Sequence, residues 1–584
     1  MLKTIRRLYR AGKGMFFARP DSNTTVAYLL EQQAASKNGG NTFLRFEDQS
    51  FSYREANALV NRHASAYSAL GFGKGDVVAL MMDNRPEFLW HFFAAGKLGA
   101  VAALINTHNS GEPLAHTLRI CSPKAIVVGG EHVEAFQAIA DRLQLPQHLF
   151  VDVEAGQQAP EGAGLTSWSA QLEGKSEENP AQTGQNRLSD LAAYIYTSGT
   201  TGLPKAALVR HLRLYALGQA LGGVGWGLDE SDVIYNCLPL YHTNGIGVCT
   251  GSVISYGATM ALARRFSASR FWDDVRQHEA TGFIYIGELC RYLMNQPPQP
   301  GDRDHKVRAM VGNGLRPDIW PGFQQRFGVK RVGEFYGSTE GNVGTLNIDN
   351  AVGSVGRLMG GVLVRWDDEA DDFLRGPGGF MVKCKADQPG VLIGKISKRA
   401  SFDGYEDKAA TNSKILRDVF QKGDAYFNTG DMLRMDRVRR LYFVDRMGDT
   451  FRWKGENVST FEVQEQIASW SGTEEVNVYG VQIEGTEGRA GMASIVLRGD
   501  FDADAFQRHV DQNLPGYARP IFLRLQEQME TTGTLKLKKA DLRKEGFDPS
   551  AIGDPLYFRH PQQKVYVPLT PEVYADIQSG QLRL

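Results

Sequence analysis

The sequence predicts an α/β protein with a large N-terminal domain, in which helices flank β-sheets, and a smaller C-terminal domain. Three observations support this prediction. The chain has 584 residues, more than one hydrophobic core usually supports. Helix-like and strand-like segments alternate through its first two-thirds, as in sheets covered by helices. After about Asp445 the sequence is more charged and opens a new pattern of helices and strands.

The first clear helix and strand lie between residues 84 and 105. Asn84 is a helix-capping residue, and Pro86 suits a first helical turn. Gly99 suits the end of the helix, and the apolar run AVAALI at 100–105 predicts a buried strand. The buried stripe of the helix is formed by Phe88, Leu89, Phe92 and Phe93.

Three further stretches complete the predicted organisation. Residues 154–190 are rich in Gly, Gln, Glu, Ser and Pro and predict a long surface loop. The segment from Leu191 to Tyr196 predicts a strand that runs directly into a turn rich in glycine and threonine. The uncharged stretch 243–263 contains several glycines and hydroxyl groups, so it predicts a buried helix followed by a strand rather than a membrane span.

The composition narrows the class of protein. Hydrophobic residues make up 42% and charged residues 22%, which is typical of a soluble globular chain, and the net charge of -1 argues against nucleic acid as a partner. The five cysteines form no C-x-x-C pair, which favours neither a disulfide framework nor a zinc site. We therefore expect a reduced compartment, the cytoplasm. These cysteines are Cys121, Cys237, Cys249, Cys290 and Cys384.

The first seventeen residues combine an apolar arc with cations at helical spacing. The cations are Lys3, Arg6, Arg7, Arg10 and Lys13. Such a segment can rest on an anionic membrane, here the inner face of the cell membrane. It can equally form a solvated helix that packs on the body of the protein by its apolar arc, and both interpretations stay open. A transit peptide is disfavoured by the lack of serine.

The segment YTSGTTGLPK, residues 196–205, is the most informative in the chain. Its glycines let backbone N–H groups converge on an anion, its threonines and serine add hydroxyl donors, and Lys205 adds a positive charge. The spacing does not fit the G-x-x-x-x-G-K-[ST] pattern of a Walker-type loop. A plain solvent loop is the alternative, and the order of these residues disfavours it.

This segment resembles the signature loop of the adenylate-forming superfamily, which includes acyl-CoA synthetases, peptide-synthetase adenylation domains and luciferases. Further blocks match in order from about residue 40 to the C-terminus. The resemblance implies the adenylate-forming fold with a mobile α+β C-terminal domain. It also implies a loop that holds the phosphates of ATP, with Thr200 as a catalytic residue and Mg²⁺ ligand. The loop contacts would come from Thr197, Ser198, Gly199, Thr200, Thr201, Gly202 and Lys205.

Two blocks resemble the walls of the substrate pocket. LPLYHTNG, residues 238–245, resembles the block whose histidine lies beside the substrate carboxylate, which makes His242 a candidate catalytic residue. A lone histidine is more often packed in a core, and only its place in the ordered set favours the functional interpretation. GNGLR resembles the segment that lines the adenine and acyl pocket, with Gly312, Asn313 and Gly314. A plain turn is the alternative.

EFYGSTEGN, residues 334–342, resembles the block that contacts the adenine and the α-phosphate. Within it, the resemblance makes Glu340 a catalytic Mg²⁺ ligand, and a carboxylate is the hard oxygen ligand that Mg²⁺ prefers. A surface carboxylate is the alternative. The other nucleotide contacts of the block would be Glu334, Phe335, Tyr336, Gly337, Ser338 and Thr339.

The remaining blocks lie towards the C-terminus. FNTGD places Asp431 where it could bind the ribose hydroxyls, although an isolated Asp–Arg pair is more often a surface ion pair. By resemblance, further contacts come from Tyr442, Arg446, Lys454 and Gly455. TTGTLKLKK resembles the mobile loop that carries the catalytic lysine. The spacing indicates Lys536 and leaves Lys538 open as the alternative.

The implied domains are an N-terminal AMP-binding domain over 1–444, a hinge at 445–449 and a mobile domain over 450–584. Gly448 stands at the hinge position, where the family usually has Asp or Lys. DRMGDTFRWKGENVST at 445–460 and the closing YVPLTPEVYADIQSGQLRL resemble the fatty acid transport protein and very-long-chain acyl-CoA synthetase branch. The short N-terminal segment suggests a bacterial soluble or peripheral form of that branch.

The resemblance implies a long- or very-long-chain fatty acid–CoA ligase that uses ATP and Mg²⁺, with coenzyme A as co-substrate. Alternatives are transfer of the acyl group to a carrier protein, a bile acid or other bulky carboxylate as substrate, and a lipid-binding or transport protein. Acyl chain length cannot be read from the pattern. A homodimer is a further open point.

Overall fold

The structure is a computed structural model in which the chain forms two compact units. The first comprises Met1–Leu315, Gly322–Ala351 and Ile396–Ile415, and the second Arg316–Pro321, Val352–Lys395 and Leu416–Leu584. The described residues are 12, 18–154, 156–158, 164–198, 203–358, 360–367, 370, 372–397, 400–447, 449–453, 456–484, 486, 488–530, 539–582 and 584.

The first unit is built on parallel β-strands, most of them short apolar runs that are buried on both faces. The strands are β1 Thr42–Phe46, β2 Gln49–Ser52, β3 Val77–Met81, β4 Val101–Leu104, β5 Ala125–Gly129, β6 His148–Asp152, β7 Thr166–Ser167, β8 Leu191–Ser198, β9 Pro204–Arg210, β10 Val233–Asn236, β11 Thr259–Leu262, β12 Gly282–Ile286, β13 Ala309–Asn313, β14 Arg331–Gly337 and β15 Gly344–Leu346.

Helices follow most of these strands, which gives the alternation predicted from the sequence. The α-helices before residue 415 are α1 Val26–Ala35, α2 Tyr53–Ala69, α3 Pro86–Leu98, α4 Gly111–Ile120, α5 Val133–Gln137, α6 Trp168–Leu172, α7 His211–Ala220, α8 Gly251–Tyr256, α9 Phe271–Gln277, α10 Gly287–Asn295, α11 Trp320–Phe327 and α12 Lys408–Ser413. Two π-helices span Leu221–Trp226 and Asn244–Thr250. Short 3₁₀ turns occupy Lys37–Gly40, Gly130–His132, Ala140–Arg142 and Ala181–Gln185.

Two sheets organise the first unit. One has the strand order β7-β6-β5-β3-β4-β8-β9 and is parallel apart from the antiparallel β8–β9 hairpin. The other has the order β15-β14-β13-β12-β10-β11-β1-β2 and is parallel except at its two edges. Parallel strands need helices on both faces, so the apolar strand sequences and the intervening helices specify the same architecture.

The second unit combines two larger antiparallel or mixed sheets. Its strands are β16 Ser354–Arg357, β17 Gly361–Val364, β18 Trp366–Asp367, β19 Asp372–Phe373, β20 Pro389–Lys395, β21 Ile415–Arg417, β22 Ala425–Met435, β23 Arg440–Arg446, β24 Phe451–Trp453, β25 Glu456–Val458, β26 Thr473–Val481, β27 Ala490–Leu497, β28 Phe522–Gln526, β29 Leu556–Arg559 and β30 Tyr566–Pro568. Its helices are α13 Thr460–Ala468, α14 Ala503–Asn513, α15 Ala540–Glu545 and α16 Pro571–Gln578.

One sheet of the second unit has the order β16-β23-β22-β20-β17, with β21 paired to β22. The other has the order β26-β27-β28-β29-β30 and packs a core that includes Val478, Ile495, Phe506 and Phe522. The unit therefore includes strands well before residue 445. The boundary at 444 and the hinge at 445–449 stay predictions, and Gly448 lies outside the described residues.

Most of the local predictions agree with the structure. The helix 86–98, the strand 101–104 and the strand 191–198 are present, and Gly99 ends its helix with a φ of 74°. The stretch 243–263 forms helix and then strand, as predicted, although its first part is a π-helix. None of the described helices is both long enough and apolar enough to cross a bilayer. The basic segment at 1–17 lies outside the described residues, except for Gly12.

Two predictions need correction. Asn84 does not cap the helix, because Arg85 occupies the N-cap position and the Asn84 side chain bonds to a distant loop instead. The predicted surface loop 154–190 contains short elements, β7, α6 and a 3₁₀ turn. Trp168 at the start of α6 is fully buried against Tyr67 and His91, which anchors this short helix to α2 and α3.

Candidate functional site

Three of the segments singled out in the sequence lie at one edge of the eight-stranded sheet. They lie at the carboxyl ends of β10, β13 and β14, which run parallel in this sheet and therefore end at the same edge. In open α/β sheets, ligands bind outside the carboxyl ends of the strands. This edge is therefore the candidate site of the first unit.

Two side-chain hydrogen bonds join these three segments. The hydroxyl of Thr243, next to His242, lies 3.0 Å from the hydroxyl of Thr339. The amide of Asn244 donates to Oδ1 of Asn313 over 2.9 Å. The histidine block, the GNGLR block and the EFYGSTEGN block are thus in direct contact.

His242 is half-buried in the turn that follows β10. Its ring lies 4.6 Å, centroid to centroid, from the ring of Tyr241, whose hydroxyl is 2.8 Å from Nδ1 of His108. Asn84 braces the same turn, because its amide donates to the carbonyl of Leu238 and its oxygen accepts from the N–H of Leu240. The position of His242 is therefore fixed by neighbours on both sides of the turn.

The Glu334 side chain holds the loop formed by Gly312, Asn313 and Gly314. The Glu334 carboxylate is buried and accepts hydrogen bonds from the Tyr285 hydroxyl and from the N–H groups of Gly314 and Leu315. Burial raises the pKa of Glu334 to about 8, although these three donors act in the opposite direction. Both carboxylate oxygens are engaged in shaping the loop, so Glu334 positions it, and the predicted contact of Glu334 with the nucleotide stays a prediction.

Close backbone approach explains the glycines of this loop. A Cβ on Gly287, the first residue of α10, would lie 1.7 Å from the carbonyl oxygen of Gly314. A Cβ on Gly312 would lie 2.1 Å from the carbonyl oxygen of Tyr285. Gly314 itself has a φ of +83°, in the left-handed region that glycine adopts without strain. Two neighbouring loops therefore approach as closely as their backbones allow.

The signature segment forms the β8–β9 hairpin. Thr197 pairs with Lys205 and Ser198 with Pro204, which brings the two ends of the loop together. Gly199, Thr200, Thr201 and Gly202 lie outside the described residues, as does the Ser198 side chain. The Lys205 ammonium group lies 5.9 Å from the centroid of the Tyr405 ring. The roles of the loop residues in binding phosphate stay predictions.

The turn that carries Glu340 is held by two residues that the sequence analysis did not single out. The Arg213 guanidinium group donates to the carbonyls of Ser338 and Gly341, on either side of Glu340. The Tyr405 hydroxyl donates to Oε1 of Glu340 over 2.8 Å. Glu340 is half-buried, and its carboxylate offers the hard oxygen that a Mg²⁺ ion requires. The donor set therefore fits a magnesium ligand at this position.

The residues before this turn differ in exposure. Phe335 is buried, Tyr336 and Ser338 are half-buried, and Gly337 is exposed. The pairing of Tyr336 with Thr345 and of Gly337 with Gly344 extends β14 to the site. A flat ligand could therefore reach the exposed backbone at Gly337.

The other predicted contacts belong to the second unit. Asp431 of β22 pairs in register with Arg446 of β23, with 3.6 Å between Oδ1 and Nε. The Tyr442 ring lies under the Arg434 guanidinium group, 4.6 Å from centroid to carbon, and the Tyr442 hydroxyl donates to Asp436. Lys454, Gly455, Lys536 and Lys538 lie outside the described residues. The roles predicted for these residues stay predictions.

Three positioning residues were missed from the sequence. Gly287 stands directly after a buried strand, and a glycine there is a usable signal of close backbone approach. Arg213 lies in the first turn of α7 and Tyr405 follows Gly404 in an irregular segment, and neither position carries a pattern that predicts its partner. Their contacts depend on how distant segments pack.

Comparison with known proteins identifies the family. The AMP-binding enzyme model matches residues 30–382, and the AMP-binding enzyme C-terminal domain model matches residues 462–536. The chain is 42% identical to the medium/long-chain-fatty-acid–CoA ligase FadD6 of Mycobacterium tuberculosis, over 96% of this chain and 92% of that protein. It is 41% identical to the long-chain fatty acid transport protein 6 of Mus musculus, over 100% of this chain and 95% of that protein.

Among solved structures, ATP-bound MatB from Rhodopseudomonas palustris has a TM-score of 0.74 and 22% identity, over 89% of this chain and 98% of that one. This likeness shows the fold. Taken with the matched family models, these results show that the chain belongs to the AMP-binding enzyme family.

Proposed function

We propose that the protein is a fatty acid–CoA ligase, which converts a fatty acid, ATP and coenzyme A to acyl-CoA, AMP and pyrophosphate through an acyl-adenylate. The convergence of Thr243, Thr339 and Asn313 at one sheet edge carries the proposal. It brings together the segments expected to bind the carboxylate, the α-phosphate and the adenine. FadD6 and the transport protein are named for medium- or long-chain fatty acids, which supports a long-chain substrate.

In the first half-reaction, the fatty carboxylate attacks the α-phosphorus of ATP, and the bond to pyrophosphate breaks. No protein nucleophile is needed, because the carboxylate is ionised at pH 7. His242 borders the carboxylate, Thr339 donates to the α-phosphate, and the signature loop with Lys205 and Lys536 holds the other phosphates. Bound Mg²⁺, with Glu340 and Thr200 as ligands, supplies positive charge against the phosphates.

In the second half-reaction, the thiol of coenzyme A attacks the acyl carbonyl, and AMP leaves. We propose that the small domain, residues 450–584, rotates about Gly448 between the two steps. The rotation withdraws Lys536. It brings in the loop with Lys454 and Gly455, which then forms a passage for the pantetheine arm of coenzyme A. Asp431 and Arg446 hold the ribose and phosphate side of the nucleotide, with Tyr442 beside them. Glycine suits the pivot because its backbone dihedral range is wide.

We further propose that the protein works in the cytoplasm, with the basic segment at 1–17 in peripheral contact with anionic lipid. The five cations of this segment all precede the first acidic residue of the chain, Asp21, which supports contact with an anionic membrane. The alternative for this segment is a solvated helix that packs on the body of the protein. Homodimer formation is a separate point. Sedimentation with vesicles and analytical ultracentrifugation of the full chain address these two points.

The proposed function is tested by measuring release of AMP with carboxylic acids from acetate to 24 carbons, with and without coenzyme A. We expect CoA-dependent AMP release that is highest for long-chain acids. Pyrophosphate exchange without thioester formation from free CoA would favour transfer to a carrier protein. Fatty acid binding without any ATP turnover would favour a transport protein, and activity with bile acids alone would favour a bulky carboxylate.

A further inference from the structure

Arg213 holds the main chain of the turn formed by residues 338–341. Its guanidinium group bonds the carbonyls of Ser338 and Gly341, which flank Glu340 in the sequence. Arg213 lies in α7, directly after the second strand of the signature hairpin. Burial lowers the pKa of Arg213, and the nearby Glu340 and Asp403 carboxylates oppose this shift and favour the charged guanidinium form. The backbone on both sides of Glu340 therefore has a fixed anchor.

The Glu340 side chain is fixed from the other side by Tyr405. The phenol donates to Oε1 over 2.8 Å, and among the described residues it is the sole hydrogen-bond donor to this carboxylate. A phenol is protonated at neutral pH and therefore donates this hydrogen bond. A hydrogen bond to one oxygen restricts the orientation of the carboxylate, and the second oxygen can bind a ligand.

Tyr405 is itself held rigidly against the signature hairpin. Its N–H donates to Oγ1 of Thr411 over 2.9 Å, and its backbone bridges to Ala207 of β9. The neighbouring Glu406 N–H donates to the carbonyl of Ala206, and the Gly404 carbonyl accepts from the N–H of Leu208. The ring is buried and faces the Lys205 ammonium group. One tyrosine thus connects the hairpin, the lysine and the acidic turn.

We propose that Tyr405 and Arg213 are positioning residues that hold the Glu340 carboxylate in the orientation required to bind the Mg²⁺ ion of the nucleotide. The inference rests on the proposed function, in which Glu340 binds that ion. Groups that hydrogen-bond a metal ligand fix its orientation, and their removal typically weakens metal affinity about 10- to 100-fold. A metal ligand that is already held in its binding orientation loses little conformational entropy when the magnesium complex binds.

The test compares the affinity of the full-length protein for MgATP with its affinity for ATP in EDTA, by calorimetry without fatty acid. Tyr405→Phe keeps the ring and removes only the hydroxyl group. We expect it to weaken MgATP binding about tenfold and to leave metal-free ATP binding unchanged. Arg213→Lys, which keeps the charge and loses the paired bonds to the turn, should reduce the advantage of MgATP in the same direction. It also serves as the second variant if Tyr405→Phe folds poorly.

Tyr53→Phe is the matched control. Tyr53 is buried in the same unit and donates to the carbonyls of Val253 and Ala258, away from the predicted ligands. We expect both affinities of this variant to equal those of the wild type. In a Glu340→Gln background, Tyr405→Phe should cause no further loss of MgATP affinity, because the two changes act through one carboxylate.

The outcomes separate the inference from the proposed function. A wild-type protein that binds no ATP would overturn the proposed function and, with it, this inference. A wild-type protein that prefers MgATP, with variants that keep the full preference, overturns the inference and leaves the function standing. Equal weakening of MgATP and metal-free ATP in Tyr405→Phe and Arg213→Lys would also overturn it, because it indicates general damage to the fold.

Discussion

The hydroxyl groups of Thr243 and Thr339 lie 3.0 Å apart, although the residues are separated by 96 positions in the chain. The bond joins the turn that holds His242 to the turn that holds Glu340. A substrate carboxylate and a nucleotide phosphate must meet within bonding distance in the proposed reaction. The two threonines therefore set the distance between the two halves of the candidate site.

We predict that Thr243→Val slows formation of the acyl-adenylate about fivefold, because a net hydrogen bond of about 1 kcal/mol that aligns the two turns is lost. The measurement is the rate of fatty-acid-dependent pyrophosphate–ATP exchange. Thr259→Val is a suitable control, since its hydroxyl bonds the carbonyl of Thr42 in a neighbouring strand. Equal exchange rates in wild type and Thr243→Val would show that the bond is not needed for alignment.

Much of this site could be predicted from the sequence, because its blocks are contiguous and each follows a recognisable strand. The loop at Gly312 and the acidic turn at Glu340 lie at the ends of the neighbouring strands β13 and β14, and parallel strands bring such ends together. The burial of Glu334 could not be predicted, because its sequence neighbours give no sign of the Tyr285 hydroxyl beneath the loop. Side-chain contacts between distant segments depend on packing that periodicity does not encode.

The extent of the second unit could not be predicted from the sequence pattern either. Its first sheet pairs β22 with β20, which joins strands on both sides of residues 396–415. A change of composition near Asp445 marks where the sequence changes character, but it contains no information about which earlier strands pair with β22. The same limit applies to Asn84, whose capping role was a sound local prediction. Three backbone groups of distant loops form hydrogen bonds with the Asn84 side chain and determine its position.

We predict that Gly287→Ala destabilises the first unit by about 1–3 kcal/mol and weakens ATP binding. The added methyl group would lie 1.7 Å from the carbonyl oxygen of Gly314, so the two loops must separate. Urea unfolding and the KM for ATP measure the two effects. Gly40→Ala is the matched control, because a Cβ there meets no atom within 4 Å. Identical stability and KM in both variants would contradict the close approach of these loops.

We predict that the buried imidazole of His63 makes the protein sensitive to acid. Burial lowers the pKa of His63 from 6.5 to about 3, and its Nδ1 is 2.9 Å from the carbonyl of Leu59. Below pH 6.5 the unfolded chain takes up a proton that the folded chain cannot. The free energy of unfolding should therefore fall by about 1.4 kcal/mol per pH unit for this group, between pH 6.5 and about 3.

His63→Phe removes this titration and keeps an aromatic ring beside Trp168. We expect its free energy of unfolding to fall less steeply than that of the wild type as the pH decreases. Buried His91 and His211, whose pKa values are also lowered, continue to contribute. Urea titrations at pH 7, 6 and 5 measure the slopes, and His116→Phe, which leaves His63 intact, is the control. Parallel slopes for wild type and His63→Phe would contradict the assignment.

We predict that Lys536→Ala slows the formation of acyl-adenylate about a hundredfold, because one charge contact that neutralises the phosphates is worth about 3 kcal/mol in the transition state. Thioester formation from supplied acyl-AMP should change far less, since the proposed rotation has by then withdrawn this lysine. Single-turnover kinetics of each half-reaction provide the measurement. Lys538→Ala is the matched variant in the same basic run, and we expect it to retain most of the adenylation rate. Equal loss in both half-reactions would refute the role of Lys536, and selective loss of adenylation in Lys538→Ala alone would transfer that role to Lys538.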